Sequence, residues 1–198
     1  PRDERVRWAN QAVQHLSALK HLVASDEADA LVATVEGALE HTLSGLAETR
    51  EQGIVHLQNA IAANTRAHRA LPGHRYIQYS IASCLRYLAW AQILAGRPAE
   101  ASAPAATART HLEHLLRYEP TGNGHYVRLE AWLHRLEGHL CAARGDRAAA
   151  RDAFGKALAR LREAATILRM PIVADELEQV QREHDGQLGQ RQADRSDI

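Results

Sequence analysis

Apolar residues along this chain fall at helical spacing almost throughout, and nowhere do they alternate as in a half-buried strand. Phe154, Leu158, Leu161, Ala165 and Leu168 recur at steps of three and four. So do Ile77, Ile81, Leu85 and Leu88, and again Leu129, Leu133, Leu136 and Leu140. Breaks separate these stripes. Ser25-Asp26 offers an N-cap, Leu71-Pro72-Gly73 and Glu119-Pro120-Thr121-Gly122 read as loops, and Gly145-Asp146 reads as a C-cap followed by an N-cap. Pro171, after Met170, stops one helix and opens the next. The pattern predicts an all-α chain of about eight helices, near 3–23, 27–46, 49–70, 75–95, 98–118, 124–144, 146–169 and 172–185. Pro104 lies deep enough in the fifth to demand either a kink or a later start near Ser102. Residues 1–185 are expected to form one domain, and 186–198 a mobile tail with too little apolar content to pack.

The stripes also share a register. Gly138, Cys141, Gly145, Asp146, Ala150, Phe154, Ala157 and Leu158 place small residues where two antiparallel helices would touch, with one aromatic between them. Leu85, Leu88, Ala89, Gly96, Ala101, Ala105 and Ala108 fill the same places upstream, and Gly53, Leu57 and Ala60 fill part of the set earlier still. Gly53 to Ala101 is 48 residues and Ala101 to Ala150 is 49. This spacing resembles the tetratricopeptide repeat, although a cysteine and an arginine (Cys141, Arg162) stand where that family usually has a large aromatic and a proline. The step exceeds the roughly 34 residues of the standard repeat, so the resemblance is to the long-helix arrays of bacterial regulators and signalling ATPases. It implies stacked antiparallel hairpins, an α-solenoid, over about residues 27–169. Helix 3–23 (Ala12, Leu16, Leu19) then reads as an orphan second helix. Helix 172–185 reads as a closing cap whose Asp175, Glu176, Glu178, Gln179 and Glu183 face outward. An ordinary helical bundle is the alternative.

The resemblance further implies a groove for a peptide or protein segment, lined by the first helix of each pair. The family's groove-facing places fall on Trp132, Arg135 and His139 in one helix. In the preceding one they fall on Ser83, Arg86 and Trp90, with Tyr79 and Tyr87 beside them. In helix 27–46 they fall on Val35, Ala38 and Thr42. Arg86 and Arg135 occupy equivalent places, and an arginine fork beside a tryptophan suits a carboxylate with an apolar anchor. The competing reading puts Trp90 and Trp132 in the core and pairs both arginines with acids along or between helices.

Composition narrows the functional classes. Apolar residues are 45% of the chain and charged ones 24%, as in soluble proteins, and no apolar run approaches the roughly 18 residues of a membrane span. Cys84 and Cys141 form no disulfide framework, so a reducing cytoplasm is the expected compartment. Lys20 and Lys156 are the only lysines, which with the abundant alanine points by association to a GC-rich bacterial gene. The start at Pro1, without a secretory signal, suggests a segment trimmed from something larger. Charge is balanced overall but segregated. Residues 1–51 carry 5 basic and 9 acidic side chains, residues 52–170 carry 16 and 8, and residues 171–198 carry 3 and 7. A basic middle between acidic ends can attract an acidic partner or pair with its own termini.

No catalytic motif is present: there is no HExxH, GxxxxGK[ST] or GxSxG. Among the twelve histidines, His111 with His114 and Glu130 with His134 share helix faces, but no spacing supplies further metal ligands. The expectation is therefore neither an enzyme nor a cofactor or metal protein, but a module that binds a protein or an acidic peptide segment. Two alternatives remain. One is a nucleic-acid-binding array using Arg66, Arg69, His74 and Arg75 around one loop and Arg144, Arg147 and Arg151 around another. Neutral total charge and 5% aromatics disfavour it. The other is a homo-oligomerisation piece using the leucines of helix 146–169.

Overall fold

The computed structural model describes residues 26–119 and 123–196, together with eight helical positions between 4 and 18. The orphan helix expected over 3–23 and its neighbouring Ser25 cap otherwise lie outside the described residues, as does Pro120-Thr121-Gly122. Seven helices fill the two described spans: α1 (Asp26–Leu46), α2 (Arg50–Ala70), α3 (Arg75–Leu94), α4 (Pro98–Tyr118), α5 (Gly124–Ala143), α6 (Arg147–Leu168) and α7 (Pro171–Ser196). None is long and apolar enough to cross a membrane.

The helix ends follow from local chemistry. Thr49 caps α2 by accepting from the Gln52 amide at 3.2 Å, while Gln52 Oε1 accepts from the Thr49 amide at 3.2 Å. Gly96 and Gly145 take φ values of +74° and +79° and reverse the chain at no cost to a Cβ. Asp146 then caps α6, accepting from the Ala149 amide at 3.0 Å, and Asn123 caps α5 through the His125 amide at 3.1 Å. Pro104 neither delays nor ends its helix. Pro98 opens α4 in the first turn and Pro104 sits within it, forgoing one bond to the Glu100 carbonyl. The C-terminal helix also differs from expectation: α7 continues through Ser196, past Asp185, because no proline interrupts it and glutamine, arginine and alanine sustain the helix.

Short loops make successive helices antiparallel neighbours. Pairings across each junction show this: Glu36 with Arg66 and Glu40 with His56 across α1 and α2, and Glu130 with Arg160 across α5 and α6. Alternate helices run in the same direction. Arg128 and Arg135 of α5 meet Glu176 and Glu183 of α7, each 48 residues on. The molecule is thus an odd row (α1, α3, α5, α7) backed by an even row (α2, α4, α6), an all-α arrangement consistent with stacked hairpins and an α-solenoid.

Small residues set the distance between rows. Ala101 and Ala150 are wholly buried, and Gly53 is buried with the Ser44 carbonyl only 3.2 Å from where a Cβ would sit. At Gly138 the constraint is severe, since a Cβ there would come within 2.7 Å of the Phe154 ring. The lone phenylalanine of the chain therefore lies flush on a glycine, which is how α6 buries so large a side chain against α5. Phe154, Ala157, Leu158 and Leu161 join Val173 and Val180 of α7 in one apolar cluster, and a larger one spans α1 to α5. Leu158 and Leu161 of α6 are thereby buried inside the fold, and Leu168 is half-buried.

Gly138→Ala and Gly155→Ala gain the same helix propensity, but a Cβ at Gly155 meets nothing within 4 Å. In urea unfolding, Gly138→Ala is expected to be less stable than Gly155→Ala by about 1–3 kcal/mol, the cost of overpacking. Replacing Phe154 by leucine should remove most of that difference.

Candidate functional site

The residues assigned to a groove converge on one side of α3 and α5. The guanidinium of Arg86 lies 3.7 Å from the Tyr87 ring centroid and 4.5 Å from that of Trp132. That of Arg135 lies 4.5 Å from Trp90 and 4.4 Å from Trp132. Trp90 meets Trp132 edge-on at 5.7 Å and His139 at 5.0 Å, and His139 reaches Phe154 at 5.1 Å. Ser83 sits one turn before Arg86 on the cleft wall. Register explains the convergence: Arg86 and Arg135 are 49 apart, as are Trp90 and His139, so a fixed step between parallel helices brings each pair side by side.

The two arginines differ in what completes them. Arg135, 1% exposed, donates through Nε and Nη2 to both oxygens of Glu183, at 2.8 and 2.5 Å. Two turns earlier, Arg128 makes the same fork to Glu176 at 2.8 and 2.5 Å. Burial alone would raise the Glu183 carboxyl, but the His139 imidazole 3.3 Å away and the Arg135 fork outweigh it and hold the group below the usual carboxylate range. Helical patterning puts Glu176 and Glu183 on the outer face of the cap, and the structure corrects this. They alternate with Val173 and Val180 on its inner face, all four within reach of α5 and α6. The signal is present in the sequence as two acids and two arginines, both seven apart, displaced by one repeat step.

Arg86 is 5% exposed and, unlike Arg135, makes no ion pair among the described residues; the Nη1 of each arginine is buried without a hydrogen-bond partner. The indole Nε1 of Trp132, beneath it, is a second buried donor without an acceptor. Arg86 lines a cleft between α1 and α3 that comprises two chambers. The smaller, about 350 Å³, is walled by Arg86, Ser80, Ser83, Tyr79, Thr42 and Arg128, and no carboxylate among the described residues lines it. The larger, about 630 Å³, is walled by Tyr87, Trp90, Ala91, Leu94 and Leu57, with Arg50 and Glu48 at its rim. His41, Thr42 and Tyr87 belong to both. Burial first, and then the Arg86 guanidinium, push the His41 imidazole below its usual pKa, so it is uncharged at neutral pH.

The remaining positions singled out by the sequence pattern fall elsewhere. Ala38 and Thr42 line the cleft, whereas Val35 is exposed outside it. Of the basic loop residues, Arg66 pairs with Glu36, Arg75 with Glu119 at 3.8 Å, and Arg144 donates to Ser102. The Cys84 thiol is pushed up to about 12, chiefly by burial, which leaves it protonated and unreactive. Among the described residues no group of three or more His, Cys, Asp or Glu side chains is placed to hold a metal ion. The sequence does not assign His41 and Arg128 to the site, because a histidine and an arginine on amphipathic helices carry no signal until a neighbouring helix arrives. Comparison with protein-family models, with curated proteins and with solved structures gives no match.

Removing one partner of a buried ion pair strands the other. Glu183→Gln is expected to cost about 2–3 kcal/mol at pH 7, while Arg135→Met with Glu183→Leu should recover most of that loss. Folding lowers the Glu183 pKa, so its contribution is complete above the unfolded value of about 4.3 and is lost as pH falls through the lower folded value. The stability gap between wild type and Glu183→Gln should therefore close in acid.

Proposed function

We propose that this chain is a protein-interaction module of tetratricopeptide-like architecture whose cleft between α1 and α3 captures an acidic protein or peptide segment. In this reading it serves as one arm of a larger bacterial regulatory or signalling protein, in a cytoplasmic setting. The supporting observation is the contrast between equivalent arginines. Arg135 forks onto a carboxylate carried on a helix of the same chain, while Arg86 faces the smaller chamber, which no carboxylate among the described residues lines. A surface that binds its own acidic helix in one repeat is chemically suited to bind another chain's acidic segment in the preceding one.

The cleft has the other attributes of a recognition site. A patch with tyrosine and tryptophan rings beside a buried arginine is the composition enriched in binding hot spots. The larger chamber offers Tyr87, Trp90 and Leu94 to an apolar anchor, and Leu94 is 47% exposed despite its size. The segregated charge of the chain is partly consumed within the fold, since Glu36, Glu51, Glu176 and Glu183 of the acidic ends all pair with arginines of the basic middle. That internal pairing weakens the case for a continuous phosphate-binding surface.

Arg135 supports α7, so Arg86 is the informative arginine to change. A labelled peptide library graded in net charge should yield an acidic bound pool. Arg86→Gln and, independently, the cleft-filling Thr42→Trp should each weaken that pool's binding at least about tenfold, with helicity by circular dichroism unchanged. Binding indifferent to peptide charge, or untouched by both variants, would refute the reading.

A further inference from the structure

Resting on that reading but narrower than it, the geometry points to the smaller chamber as a single-carboxylate site. We propose that Arg86 receives one carboxylate there while an adjoining ring or aliphatic group occupies the larger chamber against Tyr87, Trp90 and Leu94.

Three observations carry this. The first is the guanidinium itself. It is almost wholly withdrawn from water and has no hydrogen bond or ion pair among the described residues, whereas Arg135, whose Nη1 is likewise buried without an acceptor, is held by Glu183. Among the described residues its compensation is the faces of Tyr87 and Trp132, which offset less than the desolvation of a full charge. The second is the lining. The hydroxyls of Ser80, Ser83 and Tyr79 supply neutral donors, and no acid among the described residues lines the chamber to repel an anion. Arg128 also borders it, but its fork is already closed by Glu176, so one cation remains to be neutralised. One open charge calls for a monoanion such as a carboxylate, whose two oxygens match the planar fork, rather than a multiply charged phosphate. The third is precedent within the chain. Arg135, one step of 49 residues on, already holds a carboxylate in this way and stacks on the same Trp132 ring.

The two chambers share His41, Thr42 and Tyr87, so a carboxylate at Arg86 stands next to the entrance of the larger chamber. That adjacency specifies a ligand with its acid close to its apolar group. A C-terminal apolar residue has this form, and so does an Asp side chain next to an apolar residue.

The test uses the full chain and three small probes: acetyl-phenylalanine with a free carboxylate, acetyl-phenylalanine amide, and acetyl-aspartyl-phenylalanine amide. Binding is followed by the indole Nε1 resonances of Trp90 and Trp132 in ¹H–¹⁵N spectra. At least one carboxylate probe should shift these resonances saturably, and the neutral amide should not. Preference for the first acid identifies a chain terminus as the source, and preference for the third identifies an acidic side chain. Arg86→Gln should weaken the better acid about 10–100-fold, whereas Arg97→Gln, changed at a surface pair with Glu51, should leave it unaffected. Should Arg86→Gln lose its fold, Ser83→Trp closes the chamber with Arg86 intact and must abolish the shift. Equal binding of acid and amide, no binding of either acid, or acid binding that survives both Arg86→Gln and Ser83→Trp overturns the proposal. Acidic peptides can fail to bind while the small acids succeed, and that outcome would remove the peptide reading and leave this site standing.

Discussion

A guanidinium taken out of water must be matched by an anion or by aromatic faces, because the penalty for leaving it bare is several kcal/mol. Arg135 is the point at which this requirement governs the fold. It is among the largest fully buried side chains, and the two oxygens of Glu183 together with the Trp90 and Trp132 rings make that position tenable. Docking of α7 is therefore as much an ionic event as an apolar one. Its inner face alternates Val173, Glu176, Val180 and Glu183, and the two valines are completely buried beside the two ion pairs. A helix with this face finds its register on α5 without ambiguity, since a slip of one turn would bury both acids and both arginines unpaired.

The same requirement, one repeat earlier, separates structure from function. Arg86 and Arg135 are equivalent in sequence step, in burial and in their shared stacking on Trp132. One is closed by the chain and the other opens on a cleft. Besides Arg128, the polar side chains around Arg86 in the smaller chamber are hydroxyls, the Asn64 amide and a neutral imidazole, none of which cancels its charge.

Close approach of the helices makes this geometry repeat. Gly138 against Phe154, and the fully buried Ala101 and Ala150, let the even row sit tightly behind the odd one. Parallel odd-numbered helices then step by a constant 48 or 49 residues, and side chains one step apart become neighbours: His139 beside Trp90, Glu183 beside Arg135. Packing by small residues is thus the reason the site residues meet at all. The ring ladder from Trp90 through His139 to Phe154 continues from cleft to core, so the cleft wall and the apolar interior are one connected body.

Helix positions, their order and the hairpin turns were legible in the sequence, because periodicity, Gly145-Asp146 and Met170-Pro171 act locally. So was the register linking Gly53, Ala101 and Ala150, since equal helix lengths preserve it. The placement of Arg86, Trp90, Trp132 and Arg135 on a common face followed from that register. What sequence alone left open was which partner each polar group would find. Glu176 and Glu183 read as solvent-facing because acids on an amphipathic helix usually are, and only the arrival of α5 turned them inward. Arg135 became structural and Arg86 remained available through the same tertiary event, the docking of one acidic helix at the end of the odd row. Local chemistry writes the helices, but charge compensation between residues 48 apart is a property of the packed chain, and it exists only once the helices stand side by side.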